Sequence, residues 1–150
     1  MRKFKRSLQP KMHTPYHIKL SQNADFKVRY RFLDKQESGR QFLPFQGYRS
    51  DFYYDHEGGQ NQVFMIWPEF EDEKGNIILD TSKPVLKEGI ASMWILIPKM
   101  RSYHKEKIKI GLKGFFREGS RNTAECEVIE IVDLLINPTE PLTVNGKIYL

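Results

Sequence analysis

Four arginines stand beside glycines in two stretches of this chain. Arg40 follows Gly39, Arg49 comes two residues after Gly47, and Arg117 and Arg121 flank Gly119. Glycine admits backbone angles closed to other residues, so sharp turns are expected at Gly39, Gly47 and Gly119. A guanidinium held at such a turn can fork onto a carboxylate, a backbone carbonyl or a phosphate. That chemistry is recognition rather than bond breaking. Arg40 on a loop held by a rigid sheet reads as a binding residue. Two readings stay open for the others: Arg117, Glu118 and Arg121 form either part of a docking face or an ion-pair network, and Arg49, Tyr48 and Phe52 belong either to the face or to the core.

Other reactive residue types are sparse. His13 and His17 have the i,i+4 spacing of two metal ligands on one helical face, but Pro15 between them argues against that helix. Asp55-His56-Glu57 runs into Gly58-Gly59, which reads as a turn rather than a catalytic cluster. Glu69, Glu71, Asp72 and Glu73 lack the alternating ligands of a calcium loop and read as a solvated approach to a hairpin. Cys126 lies between Glu125 and Glu127, where neighbouring carboxylates disfavour a thiolate nucleophile. No phosphate-cradling loop, nucleophile elbow or zinc-protease motif occurs. The expectation is a protein that is not an enzyme, with no cofactor, no metal and no small-molecule substrate.

Strands are the elements that must position the arginines. Residues 26–33 alternate apolar and basic side chains, as a half-buried strand does. Residues 107–112 and 127–132 alternate in the same way, and residues 90–97 are nearly all apolar up to Pro98, as in a central strand covered on both faces. Shorter strands are expected at 52–54, 63–67 and 76–79, the last after a turn at Lys74-Gly75-Asn76. Asn145-Gly146 between two β-prone triplets predicts a terminal hairpin with a type I′ turn. Many short strands at this spacing predict an all-β barrel or sandwich.

The 150 residues suit one domain, and 39% hydrophobic content suits a core. The formal net charge is +5, yet six basic residues and no acid precede Asp25, leaving 18 basic against 19 acidic residues, or −1, for the rest. The basic character belongs to the leader, read as a solvated arm over residues 1–22. No apolar run is long enough to cross a bilayer and none near the start reads as a secretory signal, so no membrane association is expected. One cysteine excludes an internal disulfide and fits a reducing, cytoplasmic setting.

The two glycine–arginine stretches closely resemble the third, C-terminal domain of bacterial elongation factor Tu. That family follows its first strand with Lys-x-Glu-Gly-Gly-Arg, then Pro-Phe, then Gly-Tyr-Arg-x-x-Phe-Tyr. Here Lys35, Glu37, Gly39, Arg40, Phe45, Gly47, Tyr48, Arg49, Phe52 and Tyr53 stand in the same order. The family's later Gly-Leu-Arg-Phe-x-Ile-Arg-Glu-Gly-Gly-Arg is matched by Gly111, Leu112, Arg117, Glu118, Gly119 and Arg121. The resemblance covers about residues 24–134. It departs at Ser38, which replaces one of the loop glycines, at Gln41, which replaces a histidine, and at Lys87-Glu88-Gly89 and residues 122–126. Extra chain appears around Trp67 and after Pro141.

The resemblance implies a closed, six-stranded antiparallel β-barrel of the translation-factor C-terminal type over residues 23–137. A proline-rich spacer and the terminal hairpin would follow at 138–150. It also implies that Arg40 and Gly119 face the tRNA backbone and that Gln41 keeps a donor where the histidine stood. No GTPase activity is expected. Two partner classes follow: tRNA or another structured RNA, bound weakly, or a protein partner of the translation machinery. The alternative is a decoy or immunity-type protein that mimics the factor's surface.

Overall fold

Phe26, Val28, Tyr30 and Phe32 are each no more than 2% exposed, while the residues between them reach solvent. This alternation makes β1 (Phe26–Phe32) the strand on which the core is built. The computed structural model describes residues 12–55, 62–144 and 147–149. Its other strands are β2 (Asp51–Tyr54), β3 (Ile66–Phe70), β4 (Glu88–Ile95), β5 (Lys113–Glu118) and β6 (Arg121–Ile131). A short pair, β7 (Leu142–Val144) and β8 (Lys147–Tyr149), follows. Among the described residues the α-helices are brief: α1 (Tyr16–Leu20) and α2 (Arg101–Lys107).

Six antiparallel strands run in the order β2-β5-β6-β1-β4-β3, so the fold is all-β. The sheet curls around an aromatic core in which Tyr30 meets Phe70 at 5.1 Å and Phe52 meets Tyr54 at 5.1 Å, both edge to face. Each such pair adds about 0.5–1.5 kcal/mol beyond area burial. β4 is covered on both faces, as its apolar run predicts. Ala91, Met93 and Ile95 join the main core, while Trp94 packs edge-on under Tyr16 at 5.8 Å.

The expected closed barrel does not form, and the backbone shows why. Phe52 and Phe64 exchange both backbone hydrogen bonds, at 2.9 and 3.0 Å, and among the described residues that is the one bridge joining the β2 edge to the chain entering β3. The Ile66 N–H then bonds back to Phe64 (2.9 Å), and Leu96 N–H takes the Met65 carbonyl, so the chain swings away from β2 onto β4. In β3 the backbone groups of the even-numbered residues point toward the open seam, while their side chains are buried. Pro68 has no N–H to offer there, and the Gln46 side-chain amide takes both backbone groups of Phe70, at 2.8 and 2.9 Å. The result is a curled half-barrel whose free edge is blunted by a proline and a side chain.

Several other expectations are corrected. Residues 107–112 are not a strand: α2 ends at Lys107, Gly111 turns at φ +94°, and Ile110 points outward. Residues 76–79 contribute only the bridge from Ile77 to Glu71. The leader is not a solvated arm from Met12 onward, because Tyr16 is buried and the His13 N–H bonds Leu79 at 2.8 Å. Residues 1–11 lie outside the described residues, as do His56 to Gly59 and the Asn145-Gly146 turn. The strands flanking that turn do pair, Val144 opposite Lys147. No helix among the described residues is long and apolar enough to cross a membrane.

Candidate functional site

The two glycine–arginine stretches, roughly 80 residues apart, meet at one end of the sheet. After β1 the chain makes a short 3-10 turn over Lys35–Glu37, with the Glu37 carboxylate accepting the Asp34 N–H at 3.0 Å. Ser38 adopts φ +84°, a conformation costing a non-glycine residue about 1 kcal/mol. Its hydroxyl offsets that by donating to the Asn122 carbonyl at 2.9 Å, which ties the loop to the start of β6. Gly39 is buried, and a Cβ there would sit 1.8 Å from the Leu33 carbonyl oxygen. Glycine is required at this position for close backbone approach, not for a positive φ. On the partner side, Gly119 takes φ +59° at the first centre of the two-residue turn between β5 and β6, as a type II′ turn demands.

Glu118 organises the junction. Its carboxylate receives Arg40 Nη1, the Tyr48 hydroxyl at 2.6 Å and Arg121 Nη2 at 3.2 Å. Arg40 also donates to the Phe42 carbonyl at 3.0 Å and lies 5.2 Å from the Tyr48 ring centre. Burial pushes the Glu118 carboxyl up, but the hydrogen bonds from Tyr48 and Arg40 outweigh it and hold the group below the usual carboxylate range. The phenol of Tyr48 is driven up by burial and by Glu118. A permanent anion therefore fixes two guanidiniums whose side chains stay 32% and 50% exposed. Exposed Gln41 and Gly119 complete the face.

Arg49 and Arg117 are not part of this cluster. Arg49 is held elsewhere, its guanidinium 4.5 Å from the Trp67 ring centre. Arg117 lies 3.7 Å from the ring centre of Tyr53 and donates to the Asn122 side chain at 2.8 Å, so the ion pairing centred on Glu118 does not include it. The ion-pair reading thus holds for Glu118 and Arg121 and fails for Arg117. Arg40 and Arg121 are at once ion-paired and outward-facing. Phe52 is fully buried and Tyr48 packs against the core.

The outer face of the sheet is self-neutralising. Cross-strand rows run Lys113, Glu127, Arg29 and, one step on, Phe115, Glu125, Arg31, Glu88. Opposite charges facing each other on adjacent strands satisfy one another. Arg31, for example, bonds Glu125 at 2.9 Å and forks onto Glu37.

Several reactive groups elsewhere among the described residues are engaged in structure. The acidic run is not solvated throughout: Glu69 and Glu71 are buried. Glu69 accepts the His13 ring, the Tyr16 N–H at 2.8 Å and the Trp94 indole at 3.1 Å, while Glu71 pairs with Lys27 at 2.9 Å. Only the tip is a turn, where the Asp72 carboxylate takes the N–H groups of Lys74 and Asn76. Burial, with the Glu125 charge adding, drives the Cys126 thiol well up, which makes it a poor nucleophile. Among the described residues no group of three His, Cys, Asp or Glu side chains is placed to hold a metal.

Two arrangements escape a sequence reading. Asp25 and Arg101, both buried, pair at 2.7 Å. Tyr54 meets the His104 Nδ1 at 2.6 Å. Burial, reinforced by Arg101 and Lys107, pushes the His104 imidazole down to about 4, so it is neutral at pH 7. The signal for both was the spacing of Arg101 and His104 on one face of a short helix, entered through a 3-10 turn that opens with Pro98. No protein-family model matches this chain, and no curated protein matches it.

Proposed function

We propose that the chain is a non-catalytic binding module of the elongation factor Tu third-domain kind. It docks structured RNA weakly through the end of the sheet carrying Arg40, Gln41, Gly119 and Arg121. What supports this reading is the convergence of the two glycine–arginine turns on Glu118. That carboxylate holds two guanidiniums in fixed outward geometry, so little side-chain freedom is lost when they engage phosphate oxygens. The self-neutralised outer face offers no competing basic surface. The five basic residues before Met12 add unspecific attraction.

Retention of tRNA on filters across a salt series tests the proposal. Removing both side chains as Arg40→Ala with Arg121→Ala is expected to lower the log–log salt slope by roughly 1–2 and weaken binding about tenfold or more at low salt. No retention at low salt, or a slope indifferent to both arginines, overturns the RNA reading.

A second reading, a protein partner of the translation machinery or a decoy of its surface, is favoured by Phe42. This side chain is 73% exposed next to Arg40, and an aromatic beside an arginine is the usual core of a protein–protein contact.

A further inference from the structure

Beside Arg40 the loop after β1 borders a recess of about 170 Å³. Phe42, 73% exposed, lines it together with Lys35, Arg40 and Gln41, all of which reach solvent. Lys87 and Asp34, also in the lining, pair with each other, so the recess has three cations against one acid, and its remaining side chains are apolar. Phe42 belongs to neither core cluster, so packing does not account for an aromatic ring at this position. Its backbone is nevertheless fixed. Arg40 Nε donates to the Phe42 carbonyl at 3.0 Å, and two residues on the Val85 N–H donates to the Pro44 carbonyl at 2.9 Å.

We propose that this recess receives one unpaired nucleotide of an RNA, its base stacked on Phe42 and its phosphates met by Arg40 and Lys35. The inference rests on the RNA-docking reading and narrows it to a strand end or a loop whose bases are free. Every base has a π-face, so an aromatic platform flanked by cations binds single strands with little regard to sequence. A base paired within a helix is covered on both faces and does not reach such a platform. An apolar cavity of about 150 Å³ holds a benzene ring, so this recess takes one base ring. The exposed amide of Gln41 offers two donors and an acceptor, which suits the Watson–Crick edge that a duplex hides. The surplus of cations favours a phosphate-bearing partner over a protein surface.

The probes are a uridine strand of roughly twelve nucleotides and a blunt RNA duplex of the same length, each titrated at low salt against the full chain by fluorescence anisotropy. Phe42→Ala is expected to weaken the single strand about tenfold and the duplex less than about twofold. Phe42→Trp should restore single-strand binding, and the Phe42 ring protons of the wild type should move upfield under the bound base. Because Phe42 is exposed, both variants should unfold at the wild-type temperature, which separates lost stacking from misfolding. If Phe42→Ala leaves single-strand binding unchanged, or weakens both RNAs alike, the inference is overturned and the docking reading stands. If the wild type binds neither RNA, the docking reading falls and this inference with it, and Phe42 is left to a protein contact.

Discussion

Asp25→Ala is expected to lower folding stability by about 3–5 kcal/mol, the usual cost of stranding a buried charge. The Asp25 carboxylate receives Arg101 Nε at 2.7 Å, the Ile95 N–H at 2.8 Å and the Asn137 amide at 2.9 Å. Arg101 in turn donates to the carbonyls of Pro138 at 2.6 Å and Ile95 at 3.0 Å. One carboxylate thus ties β4, α2 and the segment after β6 to the start of β1, with Arg101 2% and Asp25 0% exposed. Losing it leaves a guanidinium, an amide and a backbone N–H together without their acceptor. Urea unfolding of Asp25→Ala beside Asp25→Leu with Arg101→Met checks the mechanism. The double variant removes both charges and should recover much of the loss. A single-variant loss under about 1 kcal/mol would contradict this account of the buried pair.

Gly39→Ala is the second large effect, and it bears on the docking face. The new Cβ would meet the Leu33 carbonyl oxygen at 1.8 Å, its carbon at 2.4 Å and the Asp34 oxygen at 2.8 Å. All three are backbone atoms, so no side chain can yield and the loop itself must move. A loss of about 3 kcal/mol is expected, at the upper end of overpacking costs. Arg40, the next residue, would be carried off Glu118. Thermal unfolding reads the first consequence and tRNA retention the second. Stability within 0.5 kcal/mol of wild type, or about that, would show that the loop accommodates a methyl group and that the close approach to Leu33 is not required.

Local patterns along the chain announced the strands but not how the sheet ends. Alternation at Phe26 to Phe32 and the apolar run up to Pro98 are period-2 and burial signals, and both became strands. Closure depends on which backbone groups of two distant strands point at each other. Pro68 and Gln46 decide that, and neither carries a periodic signal. The same holds for Glu69: a carboxylate in an acidic run reads as solvated until the leader brings His13 and Tyr16 over it. Residues 107–112 misled because Ile108 is buried by a turn, not a strand, and the residues flanking it are solvent-facing in either case.

At the site, glycine and arginine types marked the two turns. The side chain joining them, Glu118, drew notice only as a possible ion-pair member. Arg49 and Arg117 share the residue type and neighbourhood of Arg40 and Arg121, yet Trp67 and Tyr53 hold them elsewhere. Arg117 and Arg121 sit on β5 and β6 but Arg40 and Arg49 lie between β1 and β2, so the partner each side chain finds separates the two pairs, and turn composition alone does not carry it.

The most direct measurement is a map of backbone amide shifts in labelled protein as tRNA is added at low salt. A docking face at the joined turns predicts the largest changes at residues 38–42 and 118–122, and little along the row of Arg29 and Lys113. Shifts centred on that row, or none beyond residues 1–11, would contradict it.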